Sequence, residues 1–361
     1  MRLAILGTRG IPARYGGFET FAEELAARLV ARGHSVVVYC RERGESTHRG
    51  ALRQYVPTIR HKYFDTLAHT FLSTLHLLAH RPDAALYCNA ANAIFTLLPR
   101  LAGIPVALNV DGLERHRRKW NRAAKAWYAL SERLSTLFPS AIVTDARHIA
   151  AYYLERYGKQ SRMIPYGSET GRVETAAALD ALGLEPRRYF LYVSRFEPEN
   201  NALLVREAFE RVETSMRLAL VGDAPYAPEY IARVRATTDA RIVIPGAIYG
   251  RGYHELQSHS FAYVHATEVG GTHPALIEAM GRGALVLYLE TPENTEVAGG
   301  AGLPFRHDNL ADVMRRALAM DESERAELQA RAVARVRERY DWNSVTSQYE
   351  ALLLGLVHRL K

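Results

Sequence analysis

The sequence predicts an α/β protein made of two doubly wound domains in tandem, each built around a parallel sheet. In both halves short apolar runs alternate with amphipathic stretches, the order expected when each strand is followed by a helix that covers the sheet. A length of 361 residues exceeds what one hydrophobic core usually serves. The hydrophobic content of 48% and the charged content of 24% exclude disorder, coiled coil and collagen.

The first half of the chain carries the first set of alternating elements. Strands are predicted at residues 3–6, 36–39, 84–87, 105–110 and 141–144. Helices are predicted at residues 18–31, 66–80 and 121–137. The last strand of this set is predicted to end around the Ile-Pro-Tyr-Gly of residues 164–167, and a polar connector with one short helical piece follows over 168–186. We therefore expect an N-terminal Rossmann-like domain over residues 1–170.

The alternation then restarts in the second half. Strands are predicted at residues 190–194, 218–221, 241–244, 261–264 and 284–289. Helices are predicted at residues 202–212, 228–236 and 274–280. Beyond residue 309 the pattern is helical and ends on an amphipathic stretch over 343–360. We assign residues 171–340 to a C-terminal Rossmann-like domain and 341–361 to a final helix.

Charge and cysteine content narrow the choice of partner and compartment. Residues 1–172 carry 25 Lys and Arg against 13 Asp and Glu, so this half suits an anionic partner: a nucleic acid, a phosphate-bearing substrate or an anionic membrane surface. Cys40 and Cys88 are far apart, which argues against a disulfide framework. Because neither a signal-peptide layout nor a long apolar span is visible, we expect a cytoplasmic protein.

A glycine-rich loop follows the first strand and opens a helix. Gly16 and Gly17 stand at the predicted helix N-terminus, where N–H groups and the helix dipole suit a phosphate or a sugar hydroxyl. Arg9 and Arg14 add positive charge to the loop. The spacing fits neither the dinucleotide-binding nor the Walker pattern. The alternative is that these glycines only form a turn.

The most informative stretch follows the fourth strand predicted in the second half. Pro274 is expected to be the first helical residue, so that Gly270, Gly271 and Thr272 present the helix N-terminus to an anion. Glu278, one turn further, could accept hydrogen bonds from the two vicinal hydroxyls of a ribose. The alternative is a surface glutamate that stabilises the first turn.

Arg195 stands at the end of the first strand predicted in the second half. A guanidinium is permanently charged and can direct two donors at paired oxygens, which suits a diphosphate. The alternative is an ion pair with Glu197 or Glu199.

These residues together resemble the family 4 retaining glycosyltransferases with the GT-B fold, over nearly the whole chain. Within that family they are most similar to the bacterial rhamnosyltransferase-like branch, and the resemblance is carried by GTRGIPARYGGFET, NVDGLERHRRKW, EPENN and VGGTHPALIEAM. It implies two domains facing a central cleft, with the nucleotide-sugar donor on the C-terminal domain and the acceptor on the N-terminal domain. It also implies that the last helix crosses back to the first domain.

The resemblance further implies a retaining hexosyltransferase of polysaccharide biosynthesis. The donor would be a nucleotide diphosphate sugar, with rhamnose as the leading sugar, and the acceptor a surface polysaccharide or lipid-linked glycan. No metal or other cofactor is expected, because no Asp-x-Asp occurs and the pair His76 and His80 lacks the H-E-x-x-H glutamate. Two alternatives stay open: a non-catalytic nucleotide-sugar sensor or scaffold, and a sugar-nucleotide epimerase of the same fold.

Two positions depart from the pattern of the family. Relatives usually carry a second glutamate ahead of the one that matches Glu278, but Gly270 stands at its position and Glu268 lies two residues too early. Relatives also often have a lysine near the place of Asn200. Arg251, expected in the loop after the third strand of the second half, is one replacement charge; a solvated loop arginine is the other interpretation.

On the acceptor side, Asp111 follows the strand predicted at 105–110. It could orient an acceptor hydroxyl, or simply cap the following turn. Glu114, together with the two arginines of the glycine-rich loop, is assigned to the acceptor or diphosphate side. We expect Asp111, Arg195 and Glu278 to be the catalytic residues, with Arg195 and a helix end stabilising the leaving diphosphate.

A dense basic and aromatic cluster covers residues 115–128. A basic helix that carries tryptophans can lie on anionic lipid, which predicts a peripheral location at the inner face of the cell membrane. The alternative is a solvated face whose tryptophans belong to the core. Nucleic acid is not expected as a partner, because no recognised nucleic-acid-binding motif accompanies the charge.

Overall fold

The computed structural model describes residues 1–14, 16–59, 61, 64–118, 120–224 and 227–359. The chain divides into two compact units: Met1–Tyr166 with Trp342–Lys361, and Gly167–Asp341. The first unit thus ends earlier than the predicted residue 170. Ile164 and Tyr166 are buried, and the Tyr166 ring packs edge-on against Phe21, so the chain leaves the first core only after Tyr166.

The strands and helices are numbered in chain order. The strands are β1 Arg2–Leu6, β2 Ser35–Cys40, β3 Thr47–His48, β4 Ala51–Tyr55, β5 Ala84–Cys88, β6 Val106–Asn109, β7 Ala141–Thr144, β8 Arg162–Met163, β9 Tyr189–Val193, β10 Arg217–Val221, β11 Ile242–Gly246, β12 Ala262–His265, β13 Leu285–Leu289 and β14 Leu303–Phe305. The α-helices are α1 Gly17–Ala31, α2 Asp65–His80, α3 Leu97–Leu101, α4 Arg122–Ser135, α5 Arg147–Tyr157, α6 Ala177–Leu182, α7 Ala202–Glu210, α8 Pro228–Arg235, α9 Gly250–His259, α10 Pro274–Gly281, α11 Pro292–Ala298, α12 Leu310–Ala319, α13 Glu322–Arg339 and α14 Trp342–His358. Short 3₁₀ segments cover Ala90–Thr96, Glu114–His116 and Pro198–Asn200.

The first unit is built on one sheet, which has eight strands within the described residues, in the order β3-β4-β2-β1-β5-β6-β7-β8. Its neighbours pair in parallel except β3 and β4, which are antiparallel. The central strands β1, β5 and β6 are almost fully buried, as expected for a parallel sheet covered on both faces. α14 packs in this unit against α1, where Tyr349 contacts Phe21.

The second unit holds a parallel sheet of six strands within the described part of the chain, in the order β11-β10-β9-β12-β13-β14. Its core joins β9, β10, β12 and β13 to α7 and α12. The carboxyl ends of the neighbouring strands β9 and β12 open into the segments that carry Arg195 and residues 266–273. In sheets of this kind, ligands bind outside the carboxyl ends of the strands.

The predicted fold class is therefore confirmed as two parallel-sheet α/β units, and each predicted strand has an observed counterpart with similar bounds. The sequence does not reveal β3, β4 and β14, or the helices α3, α5, α9 and α11, whereas the strand predicted to end around residues 164–167 has its counterpart in β8. β4 lies towards the sheet edge and mixes buried with exposed residues, so it lacks a continuous apolar run. None of the helices in the described residues combines the length and apolar character that crossing a membrane requires.

Candidate functional site

The loop between β12 and α10 is built as the sequence predicts. α10 begins at Pro274, and Gly270, Gly271 and Thr272 are buried just ahead of it. The first turn of α10 contains no acidic residue, and the side chain of the capping residue His273 does not cap the helix. The positive end of the helix dipole therefore has no carboxylate in its own first turn.

Gly270 is required by the close approach of the His273 ring. A Cβ at Gly270 would lie 2.2 Å from His273 Nε2. The ring cannot easily move, because it is buried and its Nδ1 lies 2.6 Å from Asn294 Oδ1. Asn294 in turn donates to the carbonyl oxygens of Thr267 and Leu289, at 3.0 and 2.9 Å. Asn294, which the sequence reading missed, thus fixes the loop to α11.

Glu278 is held in one orientation by α9. The Tyr253 hydroxyl donates to Glu278 Oε2 at 2.5 Å, and Gln257 Nε2 donates to the same hydroxyl at 2.7 Å. Burial, followed by the Glu278 carboxylate, raises the pKa of Tyr253 well above its usual range, so this phenol keeps its proton. A fixed carboxylate one turn into α10 can accept hydrogen bonds from a diol.

Arg195 follows β9 and has a partly exposed side chain. Its Nη1 lies 3.7 Å from Glu197 Oε1, so the predicted alternative, an ion pair with Glu197, is present. That distance is long for a charge-assisted hydrogen bond. Asn200, which stands near the family's lysine position, is buried, and its Nδ2 donates to the Arg195 carbonyl oxygen at 2.7 Å. Asn200 therefore shapes the Arg195 turn.

Glu268 joins the two loops rather than standing at the glutamate position of the family. Its Oε1 accepts from Asn201 Nδ2 at 3.0 Å and lies 2.8 Å from His307 Nε2. Its backbone N–H donates to the Glu199 carbonyl oxygen at 2.9 Å. The end of β9 and the end of β12 are thus tied together, which brings the Arg195 turn beside the α10 loop.

Arg251 lies in a helix, whereas the sequence predicts a loop at this position. It lies in the first turn of α9, because residues 250–259 form a helix that begins after Tyr249. Its Nε donates to Thr175 Oγ1 at 3.0 Å, and the side chain is largely exposed. This geometry fits the second interpretation, a solvated arginine, better than a diphosphate ligand.

In the first unit, the glycine-rich loop after β1 is tied to α1 by carboxylates. The Arg9 N–H donates to Glu19 Oε1 at 2.8 Å, and the Ala13 N–H donates to Glu23 Oε2 at 2.6 Å. Gly16 caps α1 and Gly17 is its first residue, as predicted.

Charge in this loop is unevenly placed. Arg14 is exposed, whereas Arg9 Nη2 lies 3.8 Å from Asp65 Oδ2. Tyr15, also part of the loop, lies outside the described residues. Because Glu19 belongs to the first turn of α1, the positive end of that helix already has a carboxylate beside it.

Asp111 follows β6 in a left-handed backbone conformation, with φ 57°. Its N–H donates to Asn109 Oδ1 at 3.0 Å, and the Tyr166 hydroxyl lies 3.3 Å from Asp111 Oδ1. Asn109 Nδ2 reaches the Tyr349 hydroxyl of α14 at 2.9 Å. A non-glycine residue at positive φ is unusual and persists only where its surroundings hold it.

Asp145, at the carboxyl end of β7, is a neighbour of Asp111 that the sequence reading missed. The two carboxyl groups share a hydrogen bond. Burial and then the Glu114 carboxylate raise the pKa of Asp111, while Arg117 and the hydrogen bonds from Asp145 and Tyr166 oppose the rise. Asp111 is a candidate because it directly follows a predicted strand, and the same criterion identifies Asp145.

Glu114 binds two side chains of the basic and aromatic cluster. Glu114 Oε1 pairs with Arg117 Nε at 2.5 Å, and the Trp120 indole lies 3.3 Å from Glu114 Oε2. Arg115 Nε lies 3.2 Å from Glu132 Oε1. The basic residues of the cluster that remain exposed, among those described, are His116, Arg118, Arg122 and Lys125. Lys119 lies outside the described residues.

The predicted site residues therefore fall into two groups. Arg195, Gly270, Gly271, Thr272 and Glu278 lie in the second unit, at adjoining strand ends. The remainder lie in the first unit: Arg9, Arg14, Gly16, Gly17, Asp111 and Glu114. Among the described residues, no three His, Cys, Asp or Glu side chains are grouped so that they could hold a metal ion.

Comparison with known families agrees with this division. Residues 15–172 match the model described as Glycosyltransferase Family 4, and residues 187–320 match that of Glycosyl transferases group 1. The chain is a glycosyltransferase of this type. No curated protein matches its sequence significantly.

Solved structures similar to this glycosyltransferase share its GT-B fold at low sequence identity. Sucrose-phosphate synthase from Thermosynechococcus elongatus is 18% identical with a TM-score of 0.80, and the match covers 99% of both chains. Anabaena HepE in complex with UDP-glucose is 15% identical with a TM-score of 0.79, covering 98% of this chain and 100% of that one. WaaG, involved in lipopolysaccharide biosynthesis, is 16% identical with a TM-score of 0.75 and the same coverage.

The geometry of the glycosyltransferase supplies distinct chemistry in each unit. The second unit offers a helix N-terminus, a guanidinium and a fixed carboxylate, which are groups suited to a diphosphate and a diol. The first unit offers the partly buried carboxyl of Asp111 beside the buried carboxyl of Asp145, at the ends of β6 and β7, and a glycine-rich helix N-terminus.

Proposed function

We propose that this glycosyltransferase transfers a sugar, with rhamnose as the leading candidate, from a nucleotide diphosphate sugar to a surface-polysaccharide or lipid-linked glycan, with retention of configuration. The observation that carries the proposal is the N-terminus of α10. It follows a buried small-residue loop, has no acidic residue in its first turn, and stands one turn from a carboxylate that Tyr253 orients.

In this proposal the second unit binds the donor. The N–H groups around Gly271 and Thr272 and the Arg195 guanidinium bind the diphosphate, and Glu278 accepts hydrogen bonds from the ribose hydroxyls. The bond from the anomeric carbon to the phosphate oxygen breaks, and Arg195 and the helix end stabilise the charge that develops on the diphosphate. These protein groups perform that task without a metal or other cofactor.

The first unit binds the acceptor. Asp111 accepts a hydrogen bond from an acceptor hydroxyl and so orients the acceptor, while Tyr166 and Asp145 hold the Asp111 carboxyl. The acceptor oxygen bonds to the anomeric carbon on the face that the diphosphate leaves, and its proton passes to the departing phosphate oxygen. Arg9, Arg14 and the carboxylate Glu114 belong to the acceptor or diphosphate side.

Gly16 and Gly17 are proposed to contact the donor sugar. Because Glu19 places a carboxylate in the first turn of α1, a neutral sugar hydroxyl suits that position better than a phosphate. The exposed basic residues Arg118, Arg122 and Lys125 suit contact with an anionic membrane surface, where a lipid-linked acceptor would reside. The protein would then act in the cytoplasm, peripherally at the inner face of the membrane.

A screen of nucleotide sugars tests the donor assignment. dTDP-rhamnose, UDP-glucose, UDP-N-acetylglucosamine and GDP-mannose are compared for thermal stabilisation of the protein and for hydrolysis. UDP-glucose belongs in the panel because HepE was solved with it. Arg195→Ala and Glu278→Ala should both weaken the stabilisation, whereas Glu207→Ala, an exposed residue of α7, should not. If neither site variant weakens it, the donor site lies elsewhere.

The two alternatives predict different products. One observation favours a non-catalytic sensor. Near the positions where relatives carry a lysine and a second glutamate, Asn200 donates to a backbone carbonyl oxygen and Glu268 accepts from Asn201. A sensor predicts nucleotide-sugar binding without turnover in the presence of any glycan acceptor. An epimerase predicts a changed sugar without acceptor, so product analysis with and without acceptor separates both from transfer.

A further inference from the structure

Three arginines of the second unit lie together at the amino ends of its parallel strands: Arg172, Arg187 and Arg325, which we call the amino-edge arginines. Arg187 stands two residues ahead of β9, and its backbone N–H donates to the His259 carbonyl oxygen at 2.8 Å. Its Nη1 donates to the Ser260 carbonyl oxygen at 3.2 Å, just ahead of β12. The proposed donor site adjoins the carboxyl ends of the same two strands, so the arginines occupy the opposite edge of the sheet.

The other two arginines reach this edge from different segments of the chain. Arg325, near the start of α13, has its guanidinium carbon 5.4 Å from the centre of the Phe261 ring, and Phe261 directly precedes β12. Arg172 lies beside Gly283, two residues ahead of β13, since a Cβ on that glycine would stand 3.7 Å from Arg172 Nε. Both guanidinium groups are close enough to act electrostatically on Arg187.

Backbone contacts fix the segment that carries Arg172. The Gly171 N–H donates to the Gly281 carbonyl oxygen at 3.0 Å, and Arg282 Nη1 donates to the Gly171 carbonyl oxygen at 2.9 Å. A Cβ at Gly281 would lie 2.3 Å from the Glu169 carbonyl oxygen, so this close approach requires a glycine. The fold itself therefore holds Arg172 beside the end of β13.

The charges of the amino-edge arginines oppose one another. Burial lowers the pKa of Arg187, and the nearby charges of Arg172 and Arg325 lower it further. The partly buried Arg41, by contrast, pairs with Asp65 at 2.8 Å. Among the residues that the structure describes, no ion pair joins an amino-edge arginine to a carboxylate. Three like charges held together in this way favour the approach of an anion.

Carboxylates around the amino-edge arginines restrict the kind of anion that fits. Glu174, Glu185 and Glu322 are exposed, and each stands two or three residues along the chain from one of the arginines. An extended acidic partner would meet these carboxylates, whereas a compact anion can contact the guanidinium groups alone. Phosphoryl groups suit such a place, because a guanidinium directs two parallel N–H donors at paired oxygens.

We propose that the amino-edge arginines form a second anion site, which binds the phosphoryl groups of a small molecule. A compact anion with two or more negative charges replaces the repulsion among three guanidinium groups by attraction, and its binding stabilises the folded second unit. The site shares no residue with the α10 loop, Arg195 or Glu278. It therefore goes beyond the proposed function and does not depend on it.

Titration calorimetry tests the site in a variant whose donor site is impaired by Arg195→Ala and Glu278→Gln together. Inorganic pyrophosphate should bind this variant, and the further changes Arg172→Gln and Arg325→Gln should weaken the binding about tenfold or more. The matched control is Arg233→Gln with Arg235→Gln, because both residues are exposed on α8 of the same unit. Absence of binding, undiminished binding without the amino-edge arginines, or an equal loss in the control would overturn the proposal.

Thermal unfolding supplies a measurement that a purely structural role would move in the other direction. At low ionic strength and without multivalent anions, Arg172→Gln should keep or raise the unfolding temperature, because the repulsion on Arg187 falls. Pyrophosphate should raise the unfolding temperature of the wild type above that in sodium chloride of equal ionic strength, and should do so less in Arg172→Gln. A lower unfolding temperature of Arg172→Gln without the anion would show that the arginine only supports the fold, and would overturn the proposal.

Two further ligands identify where the phosphoryl groups come from. In the donor-impaired variant, equal affinity for UDP and pyrophosphate would assign the site to phosphoryl groups alone, and tighter binding of UDP would assign it to a nucleotide. A hexapeptide of glutamate should bind about tenfold more weakly than pyrophosphate; equal or tighter binding would assign the surface to an acidic protein instead.

The donor screen separates this inference from the proposed function. Stabilisation by nucleotide sugars should be reduced by Arg195→Ala and Glu278→Ala, whereas the calorimetric loss of pyrophosphate binding should follow Arg172→Gln and Arg325→Gln. A nucleotide-sugar effect without pyrophosphate binding at the amino-edge arginines would refute this inference alone. Pyrophosphate binding there without any nucleotide-sugar effect would refute the proposed function alone.

Discussion

The turns before α1 and α10 are alike in sequence and different in charge. Each places two glycines near a helix N-terminus after a buried strand. The first turn of α1 contains Glu19, whereas that of α10 contains no acidic residue. Glu19 also accepts the N–H of Arg9, so its carboxylate serves the turn that precedes it. At α10 the adjoining loop is instead held by the hydrogen bond between His273 and Asn294.

Glycines before a helix therefore do not by themselves define an anion site. The N-terminus of a helix is worth about 0.3–1 kcal/mol to a nearby negative charge, and at α1 the protein supplies that charge itself. At α10 the corresponding position in the first turn has none. Nucleotide binding should therefore depend on α10 and be nearly indifferent to Glu19.

The largest effect is expected for Gly270→Ala. The added Cβ would lie 2.2 Å from His273 Nε2, and the ring is held by Asn294. Such overpacking costs about 1–3 kcal/mol of folding free energy. Because the displaced loop is the proposed diphosphate site, nucleotide affinity should fall about 100-fold, equivalent to about 2.7 kcal/mol. Calorimetry with UDP or dTDP measures it.

Gly355→Ala is the matched control. Gly355 lies within α14, where an added Cβ meets nothing within 4 Å. Alanine in a helix interior should stabilise the protein by about 0.5–1 kcal/mol and leave nucleotide affinity unchanged. Unaltered affinity in Gly270→Ala would show that the α10 loop is not where the nucleotide binds.

Glu278→Gln should have the next largest effect. The amide oxygen can still accept from the Tyr253 hydroxyl, so the side chain keeps its place while the charge is lost. A hydrogen bond to a charged group contributes about 1.5–3 kcal/mol, so affinity for the nucleotide should fall roughly tenfold to a hundredfold. The free base and inorganic diphosphate should bind as to wild type. Equal losses for diphosphate and nucleotide would contradict the ribose assignment.

The geometry of the proposed donor site could largely be predicted from the sequence because its signals are local. Pro274 marks the helix start, the glycines precede it, and Glu278 lies one turn on, all within nine consecutive residues. Arg195 was placed by the rule that ligands meet the ends of parallel strands. Its ion pair with Glu197, which the sequence offers as an alternative, is present.

The remainder could not be predicted because it depends on contacts between distant segments. Asn294 reaches the α10 loop from α11, a helix that periodicity did not reveal. The sequence places Glu268 only by its spacing, whereas its partners Asn201 and His307 lie far along the chain. The exposure of Phe71, Leu72 and Leu75 on α2 is equally hidden, since periodicity predicts a helix without showing which side is buried.

Asp145→Asn should have a moderate effect that appears in the pH dependence. Burial raises the pKa of Asp111, so the native state holds this proton more tightly than the unfolded chain. Its stabilising contribution is therefore present at low pH and is lost as the pH rises through the raised pKa. If Asp111 must be ionised to orient the acceptor, kcat/KM rises over that same range.

The hydrogen bond from Asp145 lowers the pKa of Asp111, and the amide of an asparagine at 145 is a weaker donor than a carboxyl O–H, so the pKa of Asp111 should rise further. The acid limb of kcat/KM should move to higher pH, while the maximal rate stays within a few-fold of wild type. Asp180→Asn, an exposed change on α6, serves as the control. If the acid limb of kcat/KM in Asp145→Asn stays at the wild-type pH, the pair Asp111 and Asp145 does not control the reaction.

The smallest effect is expected for Glu19→Gln, which returns to the contrast between the two helices. The amide oxygen can still accept the Arg9 N–H, but the first turn of α1 loses its negative charge. Buried Arg41 also loses a favourable neighbour, because Glu19 and Asp65 both raise the pKa of that guanidinium against the effect of burial. Stability should fall by about 0.5–1 kcal/mol, measured by urea unfolding. Nucleotide affinity should not change; a gain in affinity would mean that Glu19 had been keeping an anion from α1 and that both helices can hold the diphosphate.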